Sequence, residues 1–494
     1  MSRTRICLYI MVLVPLVVYW QSIFHEYGVR EDYAYLSQAR NDSGAVVRTM
    51  ASDGRPLYGA LLETTFIAAG DVQRLVYLRF ASVALLTLLG LALWRQLFQS
   101  GWSEIEAAVI GLGIILLPAA QVVASRASCW PQVLALLLAV AGFASIETEL
   151  ERGGLKRLVA LLGGCLIYGL AGLIYQSNAF FAIVPIAAVL LVRTGREPLT
   201  DIRWSLIHLS ALLAGCAGSY LLNRMMFSGG VFHESLRLQL ESNPFTKAVW
   251  FFWEPLPNAL GLYALRDTFN TGALIFWAAV ALVAGLIGFG YRTAIRQGDA
   301  LARKKWFVCV AVMPLLADTV SLAAAERAVG YRTLFALSGL VLLLVVFALR
   351  SLRLVERLAR PAYYALLAAI VLLAGWTAFA NTNALVAEPQ GNEWEMIRNA
   401  VARTSFKADT HVFLITPQVS DRSTTRQFAD EFGSLSSDSE RIAQFMFRAA
   451  MRDRYGSKLP KGVSYTFAAG RELPAGKTFD LVVDLRKLKE QRAD

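Results

Sequence analysis

The chain has 494 residues, 56% of them hydrophobic and only 17% charged, with a formal net charge of +11. A soluble protein of this length carries nearer a quarter charged residues, so an ordinary water-soluble enzyme is excluded. The basic excess does not point to nucleic acid, because much of it falls in short loops between apolar runs, where membrane topology accounts for it.

The apolar residues fall in runs of about 17–23, the length that crosses a bilayer core. Spans are expected at about 6–24, 76–97, 104–124, 130–147, 157–175, 178–193, 204–226, 271–293, 305–322, 330–349 and 361–381. That makes roughly eleven transmembrane helices. The first run follows basic residues and ends Tyr19-Trp-Gln-Ser-Ile-Phe-His25 without a small-residue cleavage site. It reads as an uncleaved first span. The five cysteines, Cys7, Cys129, Cys165, Cys216 and Cys309, form no CxxC pair. Neither a disulfide framework nor a zinc site is expected.

One side of the membrane collects Arg3, Arg5, Arg95, Lys156, Arg157, Arg193, Arg196 and Arg203. Further along it collects Arg292, Arg296, Arg303, Lys304, Lys305, Arg350, Arg353, Arg357 and Arg360. The positive-inside rule makes that side cytoplasmic, together with the N-terminus. Segments 25–75 and 227–270 and the tail from 382 then lie outside, in the periplasm of a bacterial inner membrane.

The first outer segment is too long for a plain connector. Its stretch Leu57–Ile67 is amphipathic enough to lie along the membrane surface. The second carries Trp250-Phe-Phe-Trp253, which suits the interfacial aromatic belt or a sugar or lipid groove. The tail alternates helical and strand patterns: a helix near 392–401, a strand at 411–417, a helix at 439–451, and strands at 463–467 and 479–484. The expectation is a membrane domain over 1–381 and a small outer α/β domain over 382–494, in an otherwise all-α polytopic protein.

Familiar soluble chemistries are missing. No Walker A loop, HExxH or GxSxG occurs, and His25, His208, His233 and His411 are scattered on different elements. What topology does gather on the outer side is a polar set. Glu31, Asp32 and Arg55 fall in the first outer segment, Arg126 in the next outer link, and Gln176 and Asn178 in the third. Glu326-Arg327-Ala-Val-Gly-Tyr331-Arg332 follows later, with Asp318 about a turn inside the ninth span. Ionisable residues at membrane depth face a bundle interior or a wet cavity. For Asp318 and Arg332, a structural ion pair and a functional site are both open readings. Carboxylates beside arginines suit a reaction whose leaving group is a lipid phosphate. A carboxylate serves as general base on a hydroxyl, and arginine forks neutralise the phosphate.

These features resemble the GT-C class of integral-membrane glycosyltransferases, and within it the bacterial O-antigen-modifying glucosyltransferases. The resemblance rests on Glu31-Asp32 after the first span, Gly54-Arg55-Pro56, the Arg327/Arg332 segment and a terminal outer domain. Asp430-Glu-Phe-Gly433 with Ser436-Ser437 adds to it. It implies inverting transfer of a sugar from a polyprenyl-phosphate donor to a hydroxyl on a surface glycan, lipopolysaccharide, lipid or pilin. It also implies that Asp32 or Glu31 is the base, with Asp32 preferred for its place in Asp-Tyr-Ala-Tyr. Arg327 and Arg332 are expected at the donor phosphate, Arg55 and Arg126 next, and Gln176, Asp318 and Tyr331 in the substrate site. The class contains metal-dependent and metal-independent enzymes, and no cluster here selects a divalent metal. An O-antigen polymerase or ligase is the alternative of the same chemistry. A transporter or lipid flippase is the alternative of another class, disfavoured by the lack of an internal repeat.

Overall fold

The computed structural model describes residues 3–150, 154–193, 198–267, 273–296, 300–327, 329–350, 359–417, 428, 430, 432–456, 459–486 and 488. The loop arginines Arg196, Arg353 and Arg357, and Glu431 of the tail motif, lie outside the described residues.

The chain is a mostly helical, multi-pass membrane protein with a small C-terminal α/β unit. Among the described residues, six helices are long and apolar enough to cross a bilayer by themselves, and a bent pair makes a seventh. Three expected spans appear as shorter apolar helices, Thr4–Val18, Gln176–Val192 and Phe335–Arg350. Apolar helices are imposed by lipid, which offers no partner to backbone N–H and C=O groups.

Two spans are broken, and both breaks have a proline at their root. The third runs Glu104–Ile114, opened by a capping box between Ser103 and Glu106. It then bends by 53° into Pro118–Ser125. Proline disfavours a helical residue before it and lacks the N–H that would continue the ladder. The ninth is divided into Ala300–Phe307, a π-helical turn Val308–Val312, Met313–Ala317 and Thr319–Ala323, with Pro314 following the π turn. A π turn is one way a helix accommodates such an interruption.

The first outer segment is a layer of three helices, Glu31–Asn41, Ala45–Ser52 and Pro56–Ala69. The expectation that Leu57–Ile67 lies along the membrane surface is corrected here. Tyr58, Leu62 and Phe66 are buried in a core shared with the Glu31–Asn41 helix, so its apolar face is covered by protein.

The same core continues into the C-terminal unit. Strands β1 (Thr410–Ile415), β2 (Tyr465–Gly470) and β3 (Leu481–Asp484) form a parallel sheet in the order β2-β1-β3. The helix Glu440–Tyr455 crosses between β1 and β2 and buries Ile442, Ala443, Met446, Phe447, Ala450 and Met451 along one stripe. Trp394, Ile397 and Val401 join Tyr33, Leu36 and Phe66 in one cluster. The last span, Ala359–Thr382, runs through a π turn at Asn383–Ala387 directly into the helix Glu388–Arg403. No linker separates the last span from the C-terminal unit.

Candidate active site

The segment between the first span and the Glu31–Asn41 helix is fixed from below by Arg79. This side chain is fully buried. It donates to the carbonyls of Tyr27 at 2.6 Å, His25 at 2.5 Å and Ile23 at 3.3 Å. Its guanidinium also sits 4.2 Å from the centre of the Tyr27 ring. The Tyr27 hydroxyl in turn donates to the carbonyls of Ser22 and Ser125, both at 3.1 Å. The chain then passes through Arg30 at φ 46°, ψ −107°, a conformation that costs on the order of 1–3 kcal/mol and must be held by its surroundings. The holding groups come from the C-terminal unit. Arg30 N–H donates to Ser436 Oγ at 2.7 Å, and Arg30 Nη2 pairs with Asp438 Oδ2 at 2.7 Å. Ser436 and Ser437 are themselves placed by their N–H groups donating to Glu393 at 3.0 and 2.9 Å.

Directly after that strained residue come the two carboxylates, and their environments differ. Asp32 is fully buried. Its Oδ2 accepts from Val29 N at 3.0 Å and Ala127 N at 3.2 Å, and its Oδ1 accepts from Ser128 N at 2.9 Å. Burial pushes this carboxyl above its ordinary range, while Arg126 and the amides of Val29 and Ser128 hold it back. Glu31 is 38% exposed and pairs with Arg126 Nη2 at 2.7 Å, the arginine being only 4% exposed. Burial raises the Glu31 carboxyl, but Arg126, its own backbone amide, Arg30 and Arg332 together carry it below the usual range. At neutral pH Glu31 is therefore ionised and reachable, whereas both oxygens of Asp32 are occupied by backbone.

The bend at Pro118 is what delivers Arg126. The redirected helix Pro118–Ser125 ends one residue before it, and the turn Ala127–Cys129 that follows supplies two of the three amides on Asp32. The same helix packs against the turn Tyr331–Thr333, which carries Arg332 toward Glu31.

Arg55 and Gln176 form a second group. Arg55 Nε donates to Gln176 Oε1 at 3.1 Å and stacks 4.3 Å over Tyr175. Gln176 Nε2 donates to Gly54 O at 2.6 Å, and Asn223 Nδ2 donates to the same carbonyl at 2.9 Å. Both Arg55 and Gln176 line a cavity of 290 Å³, whose wall also includes Phe180, Phe227, Leu238 and Thr333. Thr333 is the neighbour of Arg332, so this cavity and the Glu31 group share one turn. A hydrogen-bonded relay also joins the two regions: Asn178 Nδ2 to Gln132 O, Gln132 Nε2 to Tyr58 Oη, and Tyr58 Oη to Ser128 O.

The remaining expected residues, Asp318, Arg327 and Tyr331, neither line this cavity nor join the Glu31–Arg126 pair. Asp318 is buried at the break in the ninth span, just before the wall residues Thr319, Val320 and Ser321. Arg327 pairs with Glu241 at 3.2 Å near the surface. Tyr331 is buried, its hydroxyl accepts from Arg266 N at 2.8 Å, and its ring lies 5.9 Å from Phe432. It anchors the turn from within. Among the described residues, no three His, Cys, Asp or Glu side chains gather as a metal cluster. With Asp32 committed to amides, Glu31 alone is a poor donor set for a divalent cation, which takes about six oxygens.

Sequence reasoning missed Arg79, Arg30, Asp438 and Glu393. Arg79 carried a readable signal, a lone arginine inside an apolar run. Arg30 and Asp438 meet across 408 positions and Glu393 acts on Ser436 and Ser437 across 43 and 44, so these three carry no local signature.

No family model matches the chain, and no curated protein matches it. Solved structures do. The oligosaccharyltransferase of Archaeoglobus fulgidus, crystallised with zinc and sulfate, is 11% identical with a TM-score of 0.42, over 83% of this chain and 60% of that one. The archaeal oligosaccharyltransferase AglB from the same organism, in complex with an inhibitory peptide and a dolichol-phosphate, gives 11% and 0.42 over 83% and 62%. ArnT from Cupriavidus metallidurans in the apo state gives 12% and 0.45 over 90% and 85%. The present chain thus spans about three fifths of the length of the archaeal enzymes it is similar to.

Proposed function

We propose that the protein is an integral-membrane glycosyltransferase of the GT-C type. It moves a sugar from a polyprenyl-phosphate donor to a hydroxyl on a glycan, lipid or protein acceptor, at the periplasmic face of the bacterial inner membrane. The observation that carries this reading is the Glu31–Arg126 pair: an ionised, partly open carboxylate on a buried arginine, beside Arg332, at the outer end of the first span. The distribution of loop lysines and arginines supports the outward orientation.

In this reading Glu31, rather than the preferred Asp32, is the base. Its carboxylate takes the proton from the acceptor hydroxyl as that oxygen attacks the anomeric carbon from the side opposite the phosphate. The carbon–oxygen bond to phosphate breaks and the polyprenyl phosphate leaves with the electron pair. Arg332 neutralises the charge that develops there. Asp32 orients Glu31 by locking the start of their helix onto the amides at Ala127 and Ser128. The apolar cavity beside Arg55 and Gln176 takes the donor's first isoprene units, with Arg55 behind the phosphate. Decoration of lipopolysaccharide or another surface glycan follows as the product class.

Arg332→Ala is expected to raise the KM for the lipid donor by about tenfold or more, the value of a charged hydrogen bond, and to leave the acceptor KM nearly unchanged. Initial rates with each substrate varied in turn measure this, and the opposite pattern removes Arg332 from the phosphate. Alkaline phosphatase fused after Asp494 is expected to be active in cells; an inactive fusion would put the tail in the cytoplasm and end the periplasmic reading.

A further inference from the structure

Nine residues along the Glu31–Asn41 helix from Glu31, about 13 Å at the helical rise, Arg40 borders a second cavity that the transfer reading leaves unused. Its volume is 330 Å³, within the range of small-ligand sites. It opens between the first outer segment and the C-terminal unit, and its walls include Arg40, Asp71, Arg74, Trp394, Arg452 and Asp453.

The charges on this wall are not balanced against each other. Arg74 is matched by Asp71 at 3.5 Å. Arg40 donates only to the carbonyl of Gly70, at 3.3 Å, and among the described residues neither Arg40 nor Arg452 is in an ion pair. Yet the two are close enough to repel: burial and then the charge of Arg40 push the Arg452 guanidinium below its ordinary range. Two guanidinium groups from different parts of the chain that line one cavity, neither in an ion pair among the described residues, suit an anion. Asp453, next to Arg452 on the same helix, also lines the cavity, and burial and the charge of Glu26 raise its carboxyl, with Arg398 opposing. A carboxylate on the same wall accepts hydrogen bonds from ring hydroxyls. The floor is the indole of Trp394, which is fixed by its Nε1–H donating to Glu26 at 3.1 Å.

We propose that this cavity binds an anionic saccharide, a sugar ring bearing a phosphoryl or carboxyl group, with Arg40 and Arg452 on the anion and Asp453 on ring hydroxyls. The site stands independently of the transfer reading, since none of its residues belongs to the Glu31 group. Asp71 to Arg74 lead directly into the span Leu75–Gln99, so the mouth lies at the level of the outer headgroups. The saccharide can therefore belong to a glycolipid or to a free glycan.

The test is calorimetric titration of the full chain in phosphatidylcholine nanodiscs with glucose 6-phosphate, glucuronate, glucose and inorganic phosphate. Glucose 6-phosphate and glucuronate are expected to bind, and glucose to bind roughly tenfold or more weaker. Arg40→Gln and Arg452→Gln are each expected to weaken glucose 6-phosphate by a similar factor. Arg74→Gln, whose charge is already matched, is the control. Asp453→Asn is expected to weaken glucose 6-phosphate and leave inorganic phosphate unaffected. Equal binding of glucose, or variants without effect, overturns the anion role. Inorganic phosphate binding as tightly as glucose 6-phosphate overturns the saccharide. Loss of sugar-phosphate binding in nanodiscs doped with phosphatidylglycerol assigns the cavity to a phospholipid headgroup instead and also overturns the saccharide. If Arg452→Gln fails to fold, Arg40→Gln, on the solvent side of its helix, carries the test alone.

Discussion

Glu31→Gln is expected to abolish sugar transfer, by about 10²–10⁴-fold as for loss of a general base, with the unfolding midpoint lowered mainly near neutral pH, where buried Arg126 loses its counter-charge. The amide keeps the shape and one acceptor oxygen for Arg126, but it cannot take a proton from a hydroxyl. Asp32→Asn is expected to differ in kind. An Asn side chain presents an N–H₂ group to one of the two positions where backbone N–H groups now converge. That leaves at least one buried amide without an acceptor, at a cost of about 1–3 kcal/mol, read as a lower unfolding midpoint. Transfer falls as well, because the start of the helix carrying Glu31 loosens. Transfer rates in membranes supplied with polyprenyl-phosphate sugars, paired with unfolding of the purified variants, separate the two. Full transfer by Glu31→Gln would return the base to Asp32 or remove it from this helix.

Arg126→Ala is the second large effect, and its signature is in pH. In the native protein burial drives the Glu31 carboxyl up, and Arg126 is the largest influence driving it down, to a net position below the ordinary glutamate range. Removal of the arginine leaves the burial and takes away its main opponent, so the carboxyl moves up. The acid limb of kcat/KM, which reports the free enzyme's base, is expected to shift to higher pH in the variant. The same linkage acts on stability. A carboxyl lowered by folding stabilises the protein above its unfolded value, and that contribution is lost as pH falls through the lowered folded value. In Arg126→Ala the contribution is absent, so variant and native protein converge in stability toward acid pH and differ most near neutrality. An unshifted acid limb would show that Glu31 is not the titrating base.

Much of the architecture was legible because lipid leaves so little choice. Apolar runs such as 76–97 and 361–381 had to be helices, and the short apolar run at His411–Pro417, ended by its proline, read as a buried strand. The tail helix could be read from its stripe of Ile442, Met446 and Phe447. Pro118 was visible, but a proline does not announce where the redirected helix points, and that direction is what sets Arg126 against Glu31. The candidate site was legible in part for the same reason. Topology could sort Glu31, Asp32, Arg126 and Arg332 to one side of the membrane, but it could not rank two adjacent carboxylates. Their ranking depends on three amides at Val29, Ala127 and Ser128, which have no sequence signature. The aromatic context of Asp-Tyr-Ala-Tyr favoured Asp32; in the structure, Tyr33 packs on Trp394 at 5.8 Å and anchors the helix to the outer domain. Arg30 and Ser436 lie 406 positions apart, and only the folded chain shows that one holds the other.

That last contact sets an order of events in biogenesis. The membrane helices emerge from the ribosome and insert long before Ser436 and Asp438 are made. Until those residues are made, the contacts of Ser436 and Asp438 to Arg30 are missing, and the helix it precedes lacks both its brace and its share of the core around Trp394. The chain is therefore seated in the bilayer before the Glu31 helix is braced, and on the proposed function it becomes competent only when its final segment has folded against that helix. On the same proposal, a chain stalled or clipped before that point is a membrane-resident species that transfers no sugar.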